Sequence, residues 1–241
     1  MSDSTFEQWW QRSGEWVEAP NQRRGGESGV QLLAPQQESS AWLYSKRQIG
    51  HLYRSVLHPF GQPTILREAR AYRALARLGV GAPRLHFAAA RKREGQWQAL
   101  LITEALEGYI SLEQWYASPR DSVQSHSMLR ELATTLARMH LGRWQHGCCY
   151  AKHIFIRPGY HAGAPGGMRI AVLDLEKSRR RWRVVDAARH DMRQLSRHRG
   201  AMPDTHWQQL HALHEQACST LNARSGIAAY HRASLAIDLD D

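Results

Sequence analysis

His146-Gly147-Cys148-Cys149-Tyr150-Ala151-Lys152-His153 runs directly into the apolar segment Ile154-Phe155-Ile156 and, after a loop from Pro158 to Gly167, into Ile170-Ala171-Val172-Leu173-Asp174. Two short apolar runs around a glycine-rich loop predict a hairpin. A loop carrying histidine and cysteine leads into its first strand, and a carboxylate follows its second.

Upstream, Thr64 to Leu78 is the clearest helix, with Thr64 placed to cap it and Gly79 to end it. Ile65, Glu68, Tyr72 and Leu75 share one face. Glu68 is a carboxylate on an apolar stripe. It calls for a cation, because breaking a buried ion pair costs about 3–5 kcal/mol. Arg67, Arg70, Arg73 and Arg77 form a second stripe, facing solvent or an anion. Val30-Gln31-Leu32-Leu33 and Ala41-Trp42-Leu43-Tyr44 read as strands. The basic stretch from Arg23 to Gly29 before them reads as a glycine-rich turn. Such turns can bring backbone N–H groups close to phosphate, and they are also simply turns. Residues 1–24 read as an irregular or partly helical arm.

Arg84 to Ala90 and Trp97 to Thr103 read as further strands, after which Glu104 to Gly108 breaks the pattern. Helical stretches follow near 111–117 and 127–141, the second with Met128, Leu132, Leu136 and Met139 as core residues. Residues 187–198 and 205–222 read as helices, and the tail from about 223 is weakly specified. A β-rich part with one helix, followed by an α-rich part with one hairpin, argues for an α+β fold. The expected division is an arm over 1–24, a small β-rich lobe over 25–106 and a reduced α-rich lobe over 107–241.

At 241 residues and 42% apolar content, the chain has room for one large or two small domains. No apolar stretch approaches the length of a transmembrane helix, and the N-terminus does not read as a signal peptide. A cytoplasmic protein is expected. Cys148, Cys149 and Cys218 make no disulfide framework. A net charge of +10 favours anionic partners such as nucleic acid, phosphorylated sugars or an acidic membrane leaflet. The basic residues are scattered over several elements without a recognition motif, which disfavours nucleic acid.

With these residues in place, the chain resembles the two-lobed protein-kinase-like fold. Within it, the chain is most similar to the bacterial lipopolysaccharide kinases, the family of Kdo and heptose kinases, and there to the InaA branch. The resemblance is carried by Lys46-Arg47-Gln48, His51 to Ser55, His58 to Thr64, Arg67-Glu68, His146 to His153 and Leu173 to Lys177. It covers about residues 25–200.

The resemblance implies ATP and Mg2+ as cofactors. It puts Lys46 on the α and β phosphates, with Glu68 as its partner carboxylate, and Asp174 on the metal. His153 stands where a kinase has a metal-binding Asn, although magnesium prefers oxygen. His146 matches an architectural histidine, and Asp191 a buried aspartate that steadies the catalytic loop. Glu104 to Leu106 would be the hinge whose backbone meets adenine. Gly25, Gly26 and Gly29 would cover the phosphates, a partial match to G-x-G-x-x-G. The implied reaction is phosphorylation of a Kdo or heptose on a lipopolysaccharide core precursor, or on another small anionic acceptor. It would occur at the inner-membrane surface of a Gram-negative bacterium, with the chain held there by charge and by the Trp-rich arm.

The main departure is Cys148, where related kinases carry the catalytic Asp. A protonated thiol is a poor proton acceptor. Three readings stay open: a slow kinase without an ordinary base, a substitute such as Glu176, or a protein that binds nucleotide or anionic lipid without transferring phosphate. A metal site from His146, Cys149 and His153 matches no standard zinc spacing. The run Lys177 to Arg183 replaces a long activation segment, and only 67 residues follow Asp174 (241 − 174). That favours a compact anionic acceptor clamped by arginine. The competing reading is a solvated basic loop.

Overall fold

A computed structural model describes residues 3–23, 26–37, 41–55, 58–159 and 167–237. The chain divides into two compact units. Unit 1 takes residues 1–76, 82–107 and 173–178, and unit 2 takes residues 77–81, 108–172 and 179–241.

Unit 1 begins with helix α1 (Asp3–Gln11) and strands β1 (Glu15–Arg23), β2 (Gly26–Leu33) and β3 (Leu43–Ile49). A hairpin of β4 (Leu52–Ser55) and β5 (His58–Pro63) leads into helix α2 (Thr64–Arg77), and β6 (Leu85–Arg93) and β7 (Gln96–Glu104) follow. Five strands form one antiparallel sheet in the order β1-β2-β3-β7-β6. Side chains alternate across a strand. On β3, Leu43 joins the cluster of Phe6, Leu33, Phe87, Leu100 and Ile102, and Arg47 lies over the Trp10 ring of α1. Lys46 and Gln48 point the other way, to Glu68 and Thr64 of α2. The pleat of one strand thus separates a hydrophobic face from a polar one.

Residues 3–23 are partly helical, as one of the two readings has it, but they are built into unit 1 as a helix and a strand. Helix α1 seals one face of the sheet, with Phe6 stacked on Trp10 at 5.5 Å and Trp9 against Phe87 at 6.2 Å. Strand β1 is the sheet's edge. The two tryptophans are therefore spent on the core cluster rather than offered to a membrane.

The expected glycine-rich turn lies partly outside the described residues, at the connection between β1 and β2. Gly26 and Gly29 lie within β2, paired with Arg23 and Arg47 respectively, and Gly25 falls outside the described residues. A Cβ at Gly29 would meet the Trp16 ring at 2.7 Å and Pro20 at 3.1 Å. At Gly26 it would sit 2.5 Å from the Gly50–His51 backbone. Crowding is a sufficient reason for glycine at both positions, whatever else the β1–β2 connection does. Gly29→Ala should therefore cost about 1–3 kcal/mol of stability, as overpacking does, and leave nucleotide affinity unchanged. Urea unfolding and nucleotide titration on one preparation check this.

Thr64 opens α2, but its hydroxyl donates to Gln48 Oε1 at 2.8 Å and contacts His51 Nδ1 at 2.9 Å, tying the helix to β3 and the β3–β4 connection. Ile65, Glu68, Tyr72 and Leu75 are all buried, as the helical spacing predicts. Gly79 follows with φ +65°.

Unit 2 holds β8 (Ile110–Ser111), α3 (Leu112–Tyr116), α4 (Ser122–Leu141), β9 (Trp144–Gln145), β10 (Ile154–Arg157), β11 (Arg169–Val172), β12 (Arg179–Arg180), α5 (Val184–Arg197) and α6 (Asp204–Ile237). Met128, Leu132, Leu136 and Met139 of α4 are fully buried. The expected hairpin is present, pairing Ile154 with Val172 and Ile156 with Ile170, and β8 extends it on the other side. Helix α4 starts five residues before the apolar pattern does, because the Asp121 side chain accepts from the Gln124 N–H and caps it. Helix α6 runs on through the weakly specified tail to Ile237.

Candidate active site

In unit 1, three chain segments converge on Lys46. Its ammonium lies 2.8 Å from Glu68 Oε2 on α2 and 3.4 Å from Glu176 Oε2, which follows Asp174 on a single 3-10 turn. The Glu68 side chain is 4% exposed and that of Lys46 18%. The cation demanded by the apolar stripe of α2 is therefore Lys46. Burial works against its charge, but the carboxylates of Glu68 and Glu176, with Asp174 adding to them, hold its pKa above the ordinary range. Burial raises the Glu68 pKa while Lys46 draws it back. Burial, with Glu68 and Asp174 nearby, keeps the Tyr72 phenol neutral. The site carries one fixed cation among three carboxylates, an arrangement suited to gripping a phosphate beside a metal ion.

Asp174 has φ 59° and ψ 63°, the left-handed region. For a residue other than glycine this costs about 1–3 kcal/mol and is held only by its surroundings. Aspartate is among the few side chains that tolerate it. The same segment is fastened by Arg67, whose Nε donates to the Glu176 carbonyl at 2.7 Å and whose guanidinium lies 4.4 Å from the Tyr53 ring. The sequence places Arg67 in a stripe facing solvent or an anion. In the structure it bonds inward, whereas Arg70, Arg73 and Arg77 are exposed. Spacing alone could not separate the four, because the partner lies 109 residues away.

Glu104 ends β7, and Ala105 and Leu106 follow it. The N–H groups of Glu104 and Ala105 are engaged internally, donating to the carbonyls of Arg84 at 2.9 Å and Trp42 at 2.8 Å. A hinge role for Glu104 would therefore fall to its carbonyl.

In unit 2, the His146–His153 loop is suspended from Asp191 of α5. The buried carboxylate accepts from the N–H of His146 at 2.6 Å and of Gly147 at 3.0 Å. Gly147 has φ +87°, which a side chain would oppose. His140 Nε2 of α4 lies 3.3 Å from the same carboxylate, and His190 Nδ1 lies at 3.2 Å. Burial opposes the Asp191 charge, but the hydrogen bonds from His140 and His190 overcome it and hold the pKa well below the ordinary carboxylate value. Asp191 thus steadies the loop, as expected. The histidines behind it carry no sequence motif and were not legible.

Cys148 is 5% exposed, and its carbonyl accepts from His153 Nδ1 at 2.9 Å. Because a carbonyl only accepts, Nδ1 is the donor in that bond, which leaves Nε2 as the ring nitrogen that could face a metal. Burial, with Asp191 and Cys148 nearby, pushes the Cys149 thiol well up. The grouping of His146, Cys149 and His153 does not form a metal site, and among the described residues no cluster of three or more such ligands does.

A lysine on the third strand of an antiparallel sheet, paired with a helix glutamate, and a separate helical unit that hangs a His-Gly loop from a buried aspartate define the protein-kinase-like class. The lipopolysaccharide kinase (Kdo/WaaP) family model matches residues 7–214, and the chain belongs to that family. It is 43% identical to Protein InaA of Escherichia coli (strain K12) over 211 residues, covering 86% of this chain and 94% of that protein. A solved structure of WaaP in complex with acyl carrier protein matches with a TM-score of 0.64 over 98% of this chain and 93% of that one. At 16% identity, that likeness speaks for the fold. The family's members are phosphotransferases, which places the chain among kinases acting on a lipopolysaccharide-related substrate. Among the described residues, no helix is long and apolar enough to cross a membrane.

Proposed function

We propose that the chain transfers phosphate from ATP, with Mg2+, to a hydroxyl of a Kdo or heptose in a lipopolysaccharide core precursor, working at the inner-membrane surface. The observation that carries this reading is the part-buried Lys46–Glu68 pair at 2.8 Å, with the carboxylate-bearing Asp174–Glu176 turn beside it. A part-buried lysine kept charged by carboxylates fits a polyphosphate, and an aspartate carboxylate fits magnesium, which prefers oxygen. His153 fits a softer metal better, so Asp174 is the stronger metal ligand of the two. When bound, ATP supplies the phosphoryl group and the metal neutralises its charge.

The chain's own residues supply positioning. Lys46 holds phosphate oxygens, and Glu68 keeps the lysine aimed. Asp191 fixes the backbone of the loop that carries Cys148 and His153. Phosphoryl transfer passes through a loose transition state, so orientation and charge neutralisation dominate and a weak base slows the reaction without forbidding it. Glu176 remains the nearest alternative proton acceptor on the Asp174 segment.

The first test is thermal stability with ATP, with and without Mg2+, in the wild type and Asp174→Asn. Asparagine keeps the left-handed backbone while removing the charge. At a hundredfold excess over Kd, binding adds about 2.7 kcal/mol, which should raise the melting temperature by several degrees. The expected result is a Mg2+-dependent shift that the variant loses. No shift in either protein would sink the reading.

Cys148 favours a second reading, a nucleotide- or lipid-binding protein without turnover. Wild type that binds ATP but transfers no phosphate to core lipid, with transfer restored by Cys148→Asp, would establish it. Turnover by wild type would end it.

A further inference from the structure

The basic run after Asp174 is not a loose loop. Arg179 and Arg180 form β12, paired with Gln145 and Trp144 of β9, and the Arg181 N–H donates to the Arg143 carbonyl at 2.7 Å. This backbone anchoring holds out Trp182, which is 93% exposed. Helix α5 follows at once. It buries Ala187, Asp191, Met192 and Leu195, while Arg189, Arg193 and Arg197 are exposed at successive fourth positions. Val185, 47% exposed, stands one step before them in the same row.

Between residues 179 and 197 there are seven arginines and two aspartates. Asp191 is buried and Asp186 is paired with Arg183 at 3.5 Å, so the outward charge is almost wholly positive. An exposed tryptophan and valine at one end of an arginine row are poorly accounted for by solvation alone.

We propose that this face, Trp182 with the α5 row of Arg189, Arg193 and Arg197, docks unit 2 onto an anionic phospholipid bilayer. The arginines meet lipid phosphates, and Trp182 enters the headgroup region, where amphipathic aromatic rings are favoured. Charge complementarity selects an acidic leaflet, and the chain's net charge of +10 supports it. The exposed apolar pair selects lipid over nucleic acid, which has no apolar layer for Val185 to enter. The contact uses none of the residues assigned to phosphate transfer. It rests on the kinase reading only for the expectation that the acceptor is presented at a membrane.

The test is co-sedimentation of the full chain with vesicles of phosphatidylcholine alone or mixed with phosphatidylglycerol. Wild type should bind the anionic vesicles, more weakly as salt rises. Arg189→Gln/Arg193→Gln should bind them more than tenfold more weakly, at about fivefold per charge. Brominated acyl chains should quench wild-type tryptophan fluorescence more than that of Trp182→Phe. All variants should keep the wild-type melting temperature and ATP response, so that failure of docking is separable from failure of the nucleotide site. Equal binding to neutral vesicles, or undiminished binding by the variants, overturns the proposal. So does binding to oligonucleotides, but not vesicles, that the arginine substitutions abolish.

Discussion

Asp191→Ala should lower the unfolding free energy by about 3–5 kcal/mol and abolish phosphate transfer. Removing one partner of a buried charged network leaves the others desolvated and unpaired, which sets that magnitude. The substitution would strand the N–H groups of His146 and Gly147, which point at the carboxylate from 2.6 and 3.0 Å. It would also deprive His140 and His190 of their acceptor. The His146–His153 loop would then lose its anchor without any substitution within the loop. Urea unfolding and transfer to core lipid are the measurements, and a stable, active Asp191→Ala would show that the loop is held by other means.

The same network makes stability pH-dependent. Behind Asp191, His140 Nδ1 lies 2.9 Å from His214 Nε2, and burial, with His140 and His211 nearby, lowers the His214 pKa from 6.5 to about 4. Between these values the unfolded chain binds a proton that the folded chain refuses. Stability is therefore fully present above pH 6.5 and falls as pH drops towards 4. The loss is roughly 3 kcal/mol at about 1.4 kcal/mol per unit. Below the ordinary carboxylate range, protonation of Asp191 in the unfolded chain adds to the loss. His214→Gln should flatten the profile between pH 4 and 6.5, whatever it costs at neutral pH.

Lys46→Met should reduce phosphate transfer by about 10²–10³-fold, the loss typical of deleting one preorganised electrostatic contact to the transition state. It should also destabilise the protein in a pH-dependent way. Without the ammonium, Glu68, Glu176 and Asp174 face one another with no cation between them. Burial would then raise the Glu68 pKa unopposed by its main counter-charge. A carboxyl with a raised folded pKa stabilises below its unfolded pKa and loses that contribution as pH rises. The deficit of Lys46→Met should therefore be larger at pH 8 than at pH 5. Lys46→Met/Glu68→Leu should recover most of the stability, because apolar replacements of a buried ion pair are often neutral, and none of the activity. A double variant as unstable as the single one would show that the pair is not the source of the effect.

Much of the fold was legible because the relevant signals are local. The period of α2 exposed Glu68 as a buried carboxylate in need of a cation, and the apolar runs around Pro158 to Gly167 announced the β10–β11 hairpin. Strand β1 and the packing of α1 on the sheet were not legible, because nine and ten residues into the chain two tryptophans look the same whether they seek a membrane or a neighbouring sheet. The glycines of β2 were ambiguous for a related reason. Glycine marks both phosphate loops and crowded strands, and only tertiary structure shows that the Trp16 ring crowds Gly29.

The sequence by itself determined the α+β order of elements, the charge balance and the residue types available for binding phosphate and metal, since these depend on composition and on spacing within one helix or strand. The family resemblance implied the Lys46–Glu68 pair and the role of Asp191, but only tertiary structure brings these groups into contact. Lys46 finds Glu68 across 22 positions and Glu176 across 130, and Asp191 reaches back 45 positions to the loop it holds. It also turned Arg67 inward while leaving its neighbours Arg70 and Arg73 in solvent. Pairing between distant segments depends on which faces the packed sheet and helices bring within a few ångströms, and that geometry is not written in any local stretch of the chain.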